Sequence, residues 1–485
     1  MSSDRFSSAD TAWLRMDQPT NLMVITSVSL FESPVDWERF RAVTQRRLID
    51  RYPRFHQRVA ESRLALLPPK WEDDPDFALD HHMHHIALPA PGDTGALREL
   101  VSDVMTLPLD HHRPLWHIYM VDGFGEHGAA TITRMHHCIA DGVALARVLL
   151  SLTDSEPDAG IGPSSVELRL PEPGLRIGGM PVPRSRLAHR ALRVGNALVR
   201  QGLDVATSPS HAVRLAGAVA RDGATAARLL LTPADAATAI KGDPGISRRV
   251  AWTAPIPLTD VKRTAHRHGA TVNDVVLAAV AGGLRHYLQE HDSPVAEIQA
   301  MVPFNLRPLE RPVPRDLGNK FGLVFLPLPV GTSGSQRRLM QVHDRMQEIK
   351  QGRDGAVSFG LLSLAGLLPE AVERRIIDVF SGKGTAVMTN VIGPAEPVYM
   401  AGSAVRSMHF WAPTSGHIGM SVSIFSYRGE VTVGLMVDAA LVPDPNEIVE
   451  LLERELHALA RIHASGPRPR SGSRGRGRPR TPTAV

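Results

Sequence analysis

Two adjacent histidines, His136 and His137, precede Asp141 and Gly142 in the stretch Met135-His136-His137-Cys138-Ile139-Ala140-Asp141-Gly142. A neutral imidazole is the side-chain base best matched to neutral pH. Held beside a hydroxyl, it can take the proton as the oxygen attacks a carbonyl, an effect worth about 10²–10⁴-fold. Consecutive strand residues face opposite sides, so only one of the two histidines points into a site there. Asp141 can orient a ring or an arginine, or cap the helix that follows. Gly142 permits a tight turn. Cys138 beside a histidine offers a second chemistry, a thiol nucleophile and a covalent acyl-enzyme. Against it, neighbouring strand side chains diverge and a free cysteine usually behaves as a small buried hydrophobe.

These residues need rigid elements on both sides. The apolar run Ala129–Thr133 predicts a buried strand ahead of them, and Val143–Leu150 suits a helix behind. The preceding run His117–Val121 and the turn residues Asp122, Gly123, Gly125 and Gly128 complete a hairpin. Asp80–His85 is rich in histidine, but without cysteine partners it reads as a strand of surface or hydrogen-bonded rings rather than a metal site. Earlier in the chain, Met23–Phe31 is strand-like, and a helix is predicted from Ser33 to Asp50.

From Ser155 to about Pro183 the composition shifts to Pro, Gly and Ser, which marks a boundary. Arg184–Arg200 then carries five arginines and no acid, either as a connector helix or as an interfacial helix for anionic headgroups. Beyond Arg248 come a strand at Val250–Thr253, helices starting near Pro257 and Thr271, and strand-like sequence on to Val330. Asn273 can cap the second of those helices or give a hydrogen bond to a substrate or oxyanion. Gly355–Phe380 is helical and apolar, Thr389–Pro394 ends a strand, Gly419–Phe425 and Glu430–Val437 are strands, and Pro445–His463 is a helix. Strands and helices mix without regular alternation, so the fold class is α+β, a mixed α/β arrangement. The divisions are 1–154, a linker with connector helices at 155–247, 248–464, and a disordered Arg-rich tail at 465–485.

With 485 residues the chain is too long for one ordinary core. Its 43% hydrophobic and 21% charged content is that of a soluble globular protein. No apolar run approaches the ~20 residues that span a bilayer, and no signal peptide is evident. One cysteine excludes an intrachain disulfide and agrees with a reducing cytoplasm. Six of the 54 basic residues lie in the tail; the other 48 face 50 acids, so the body is nearly neutral and unlike a nucleic-acid binder. Gly-x-Ser-x-Gly, the phosphate-binding Gly-x-x-x-x-Gly-Lys-Ser/Thr loop and His-Glu-x-x-His are all absent.

The His136–Gly142 stretch resembles the active-site motif of acyltransferases built like chloramphenicol acetyltransferase, a superfamily that includes peptide-synthetase condensation domains. Pro114-Leu115-Trp116, Asn273-Asp274, Gly318-Asn319 and Asn390-Val391-Ile392-Gly393-Pro394 are similar to further motifs of the bacterial wax ester synthase/acyl-CoA:diacylglycerol acyltransferase family. So are the opening Ser8–Leu14 and Pro19–Met23, and Leu441–Pro445 near the end. Ile392 departs from that pattern, since proline is common there.

The resemblance implies two chloramphenicol acetyltransferase-like domains joined by a helical connector. His137 would be the general base on the acceptor hydroxyl, which attacks the acyl-CoA thioester without a covalent acyl-enzyme. His136, Asp141 and Asn273 would share the catalytic site. Gly142, Pro114, Trp116, Asp274, Gly318 and Asn319 would be structural. No cofactor and no metal is implied; acyl-CoA is a co-substrate, with diacylglycerol or a fatty alcohol as acceptor. Peripheral contact with the cytoplasmic membrane face or lipid bodies is expected, and no nucleic acid. Two alternatives are a carrier-bound donor with an amine or sugar-hydroxyl acceptor, and a non-catalytic lipid-binding protein of the same fold.

Overall fold

The computed structural model describes residues 4–62, 68–166, 234–306, 313–351 and 370–462, with short pieces at 176–177 and 180–181. The Arg184–Arg200 segment and the Arg-rich tail lie outside the described residues.

Two mixed sheets carry the architecture. Their strands are β1 (Val24–Phe31), β2 (Met83–Ala87), β3 (Trp116–Phe124), β4 (Gly128–His136), β5 (Arg248–Trp252), β6 (Ile298–Asn305), β7 (Phe321–Leu328), β8 (Ala386–Ile392), β9 (Tyr399–Met400), β10 (Ser403–Trp411), β11 (Met420–Tyr427) and β12 (Glu430–Asp438). The first sheet runs β9-β10-β1-β4-β3-β2, and the second β5-β12-β11-β8-β6-β7, with Ile256–Pro257 also paired to β12. The expected hairpin is β3–β4, turning through Gly125 in the left-handed region. β1 is buried along its whole length, so it reads as a continuous apolar and hydroxyl run rather than an alternating one.

The helices are α1 (Ser8–Arg15), α2 (Trp37–Thr44), α3 (Thr94–Met105), α4 (Gly142–Leu150), α5 (Leu258–His268), α6 (Val272–Glu290), α7 (Ser335–Gln351), α8 (Glu370–Ser381) and α9 (Pro445–Arg461). Short polar caps start most of them: Ser7 accepts from Asp10 N–H, Asp36 from Arg39, Asp93 from Ala96 and Asp444 from Asn446. The cap at Asp36 starts α2 later than Ser33. The helix is also shorter than expected, because the backbone widens into a π turn over Gln45–Ile49. Of the Gly355–Phe380 stretch expected to be helical, residues 355–369 lie outside the described residues, and the rest falls in α8.

One segment crosses between the sheets. β10 lies in the 248–464 stretch that sequence assigns to the second domain, yet it pairs antiparallel with β1, with Trp411 opposite Thr26. The chain leaves the second sheet after β8 and returns at β11, which pairs parallel with β8. β1 is buried on both faces, so its second edge needs backbone partners that water cannot supply there, and β10 supplies them. Trp252, Trp411 and Met436 join Val28, Leu97 and Val121 in one cluster, so the two halves share a core. Among the described residues, no helix is long and apolar enough to cross a membrane.

Glycine in a helix interior costs about 1 kcal/mol relative to alanine, so the Gly282-Gly283 pair inside α6 requires a reason. A Cβ on Gly283 would lie 2.9 Å from the backbone nitrogen and 3.1 Å from the Cα of Leu452 in α9. Backbone cannot rotate away as a side chain can. Gly283→Val should therefore destabilise the fold by about 1–3 kcal/mol through overpacking. A lowered thermal midpoint relative to the parent is the expected reading; an unchanged midpoint would show that α9 shifts freely.

Candidate active site

β4 ends at His136, and the chain turns through His137 to Ala140 before α4 begins. The two histidines part company there. The backbone N–H of His136 donates to Leu115 O (2.9 Å) and that of His137 to Met23 O (2.7 Å). The motif is thereby held by the Pro114–Trp116 segment on one side and the start of β1 on the other. Pro114 and Trp116 are buried, and the Trp116 indole N–H donates to Phe55 O at 2.8 Å.

His137 is 5% exposed and stacked on Trp13, with ring centroids 4.1 Å apart; Phe321 lies at 5.3 Å. Its Nδ1 faces Asn319 Oδ1 at 3.0 Å. Asn319 Nδ2 donates to Asp10 Oδ1 and to His137 O, both at 2.8 Å. The amide oxygen is thus the face turned to the ring, the ring donates from Nδ1, and Nε2 keeps its lone pair. Burial, opposed by the nearby Asp141 carboxylate, brings the imidazole down to about 4, so it is neutral at cellular pH. A neutral, fixed imidazole with a free Nε2 can accept a proton from a hydroxyl.

His136 faces away from His137 and is fully buried. Its Nδ1 accepts the Cys138 N–H at 3.1 Å, while Nε2 points at Asp17 Oδ1, 3.7 Å away. That distance exceeds a hydrogen bond, so the attraction is electrostatic. Burial alone would raise the Asp17 carboxyl, but His111, His136 and the Met23 N–H outweigh it and hold the group well below the usual carboxylate range.

Asp17, His111 and His136 bring three ligand-type atoms within 4.8 Å of one another, the spacing of a metal site. The ring geometry argues otherwise. With Nδ1 occupied as an acceptor, the proton of neutral His136 sits on Nε2 and leaves no lone pair there for an ion. In the Asp80–His85 stretch, three rings each meet a protein partner through one nitrogen: His82 meets Trp116 O (2.9 Å), His84 meets His117 (2.9 Å) and His85 meets Asp122 (2.7 Å), while His82 Nε2 is buried without one among the described residues.

Asp141 is both a cap and a tie. Its Oδ1 accepts from Ala144 N (2.9 Å) at the start of α4, and its Oδ2 from Lys320 N (3.1 Å) in the other half of the chain. Gly142 departs from expectation. It opens α4 outside the left-handed region, and a Cβ there would meet nothing within 4 Å, so no tight turn requires it. Gly318 does need its freedom, with φ +80° and its N–H on Ile139 O at 3.0 Å. Cys138 is fully buried, and burial pushes its thiol up, which keeps it protonated and unreactive.

Asn273 is not a helix cap. Thr271 caps α6 in a reciprocal box with Asp274, which also holds His343 at 2.8 Å. Asn273 lies in the first turn and accepts from Asn390 Nδ2 at 2.8 Å, joining the Asn273-Asp274 motif to the Asn390–Pro394 motif rather than to His137.

Reading the residues for chemistry passed over Asp10, Trp13, Arg54 and Phe321, all of which pack on or behind His137. The available signal was the Ser7 cap followed by Asp10 and Trp13, three apart on one helix face. Asn319, expected to be only structural, touches the ring itself.

The sequence matches the wax ester synthase/diacylglycerol acyltransferase catalytic domain over residues 6–276 and the C-terminal domain of the same family over 317–460. A probable diacylglycerol O-acyltransferase of Mycobacterium tuberculosis H37Rv is 30% identical over 450 residues, covering 91% of each chain. A putative diacylglycerol O-acyltransferase of the same strain is 29% identical over 488 residues, covering 93% of this chain and 90% of that one. Among solved structures, the wax ester synthase/diacylglycerol acyltransferase of Marinobacter aquaeolei VT8 superposes with TM-score 0.64 at 22% identity, covering 94% of this chain and 98% of that one. The first condensation domain of the CDA synthetase gives 0.56 at 17%, covering 96% of each chain. The expected mixed α/β, chloramphenicol acetyltransferase-like fold is therefore the fold observed, and the chain belongs to the wax ester synthase/diacylglycerol acyltransferase family.

Proposed function

We propose that the chain transfers a long-chain acyl group from acyl-CoA to the hydroxyl of diacylglycerol or a fatty alcohol, giving triacylglycerol or wax ester. Family membership supports the reaction class. The observation that carries the chemistry is the buried, neutral imidazole of His137 with Nε2 left open. In the proposed step, Nε2 takes the acceptor's O–H proton as the oxygen bonds to the thioester carbonyl carbon. The carbon–sulfur bond then breaks, and the imidazolium returns the proton to sulfur, releasing coenzyme A thiol. Cys138 is too buried and too firmly protonated to act as a covalent nucleophile. Asp141 holds the motif to the Lys320 backbone, His136 braces it against Asp17, and Asn273, its oxygen engaged by Asn390, has an N–H to give a substrate oxygen.

Thiol release from a long-chain acyl-CoA, measured with hexadecanol or dioleoylglycerol as acceptor, tests this reading. The expected outcome is turnover with at least one of them and none with carrier-bound acyl donors. His137→Ala should lower kcat by about 10²–10⁴-fold. Parent-like turnover in that variant would remove His137 from the mechanism.

The base works only while unprotonated. Because burial draws His137 down to about 4, kcat/KM should hold level from neutrality to about pH 5 and fall as pH drops through about 4. An acid limb at the ordinary histidine value of about 6.5 would contradict the buried environment.

The acceptors partition into lipid, so we further propose peripheral contact with the cytoplasmic membrane face or with lipid bodies. The full-length protein should pellet with anionic phospholipid vesicles at low salt and be released at high salt. Absence of pelleting at any salt would refute the membrane contact and leave the chemistry untouched.

A further inference from the structure

We propose that Asp10 and Asn319 are positioning residues that together fix the tautomer of His137 across the junction between the two halves of the chain. The inference rests on His137 being the base. Asn319 has two amide hydrogens, and both are committed, to Asp10 Oδ1 and to His137 O at 2.8 Å each. Only its oxygen remains for the ring, at 3.0 Å from Nδ1. Turning the amide over would set its oxygen against a carboxylate and a carbonyl, and its N–H₂ group against Nδ1. The ring would then have to carry its proton on Nε2, where a base cannot use it.

The amide's orientation is therefore decided by the carboxylate behind it. Asp10 is fully buried and accepts the Asn319 backbone N–H at 3.0 Å as well as the side chain. Its other oxygen takes Arg54 NH1 at 3.3 Å, and that guanidinium also donates to Cys138 O and Ile139 O inside the motif turn. The series Arg54–Asp10–Asn319–His137 sets the proton's place without putting an anion directly on the imidazole. A carboxylate in direct contact would fix the same tautomer but make the imidazolium more stable. With a neutral amide between, the ring is oriented and stays neutral. Asn319 is 182 residues from His137, so the base is set only when the two halves are docked.

The test compares Asn319→Ala, Asp10→Asn and the swapped pair Asp10→Asn/Asn319→Asp, each checked for folding by circular dichroism. Both single variants should lose at least about tenfold in kcat with KM for acyl-CoA little changed. In the swapped pair, the carboxylate placed at position 319 still accepts from Nδ1–H and keeps the tautomer, but its second oxygen lies against His137 O, where the amide donated, so kcat stays below that of the parent. The acid limb of the swapped pair should move to higher pH, because a carboxylate now touches the ring. The other charged or titratable neighbours, Asp141, His136, Cys138 and Arg54, are the same in every variant. In the parent protein, ¹⁵N shifts of labelled histidine, assigned with His137→Gln, should report a neutral ring protonated at Nδ1. An Nε2–H ring in the parent overturns the proposal even if every variant fails to fold. Parent-like kcat in folded Asn319→Ala, or a folded swapped pair whose acid limb stays where the parent's lies, overturns it too. If His137→Ala itself keeps activity, the base assignment fails; if only the positioning variants do, the base stands and this proposal alone falls.

Discussion

The docking of residues 318–320 onto the turn at 137–141 is the contact on which the rest of the site depends. Four interactions make it: Gly318 N–H to Ile139 O, Asn319 to the ring and carbonyl of His137, and Lys320 N–H to Asp141. Each neutral hydrogen bond contributes a net ~1 kcal/mol, but leaving such groups buried and unmet would cost about 1–3 kcal/mol apiece. The constraint is thus stronger than the attraction. Once the motif is buried between the halves, its polar atoms depend on protein partners, on this segment as well as on Met23, Leu115 and Arg54.

Burial also decides the chemistry. Taking His137 out of water disfavours its charged form more than the Asp141 carboxylate favours it, so the ring is neutral. The same burial makes Cys138 inert and turns Asp17 and His136 into a brace. One environment therefore assigns different roles to neighbouring residues that a sequence lists as equals. Helix α1 frames the result from both ends, with Asp10 in its first turn behind Asn319 and Asp17 just past its last residue facing His136.

The crossing strand β10 explains how two halves become one frame. It completes the sheet that ends in the motif, while β8 and β11 on either side of it belong to the other sheet. The chain cannot separate the halves without stripping the edge of β1. The shared cluster around Trp252 and Trp411 adds apolar burial to that topological tie.

The local signals were legible because they depend on short-range chemistry. Apolar runs and glycine-rich turns marked the β3–β4 hairpin, Asp141 sat where a cap belongs, and motif spacing named the family before any coordinates. Local reading failed where several assignments were chemically equivalent. Asn273 and Thr271 are both good caps, and only the backbone at Thr271 chose between them. Gly142 could serve a turn in principle, but its φ shows that it does not. The sequence determined which residues could remove a proton from a hydroxyl. Tertiary structure alone decided that His137 is the one with Nε2 open, because Trp13 and Asn319 reach it from across the chain with Asp10 and Arg54 behind Asn319, and no spacing rule spans those separations.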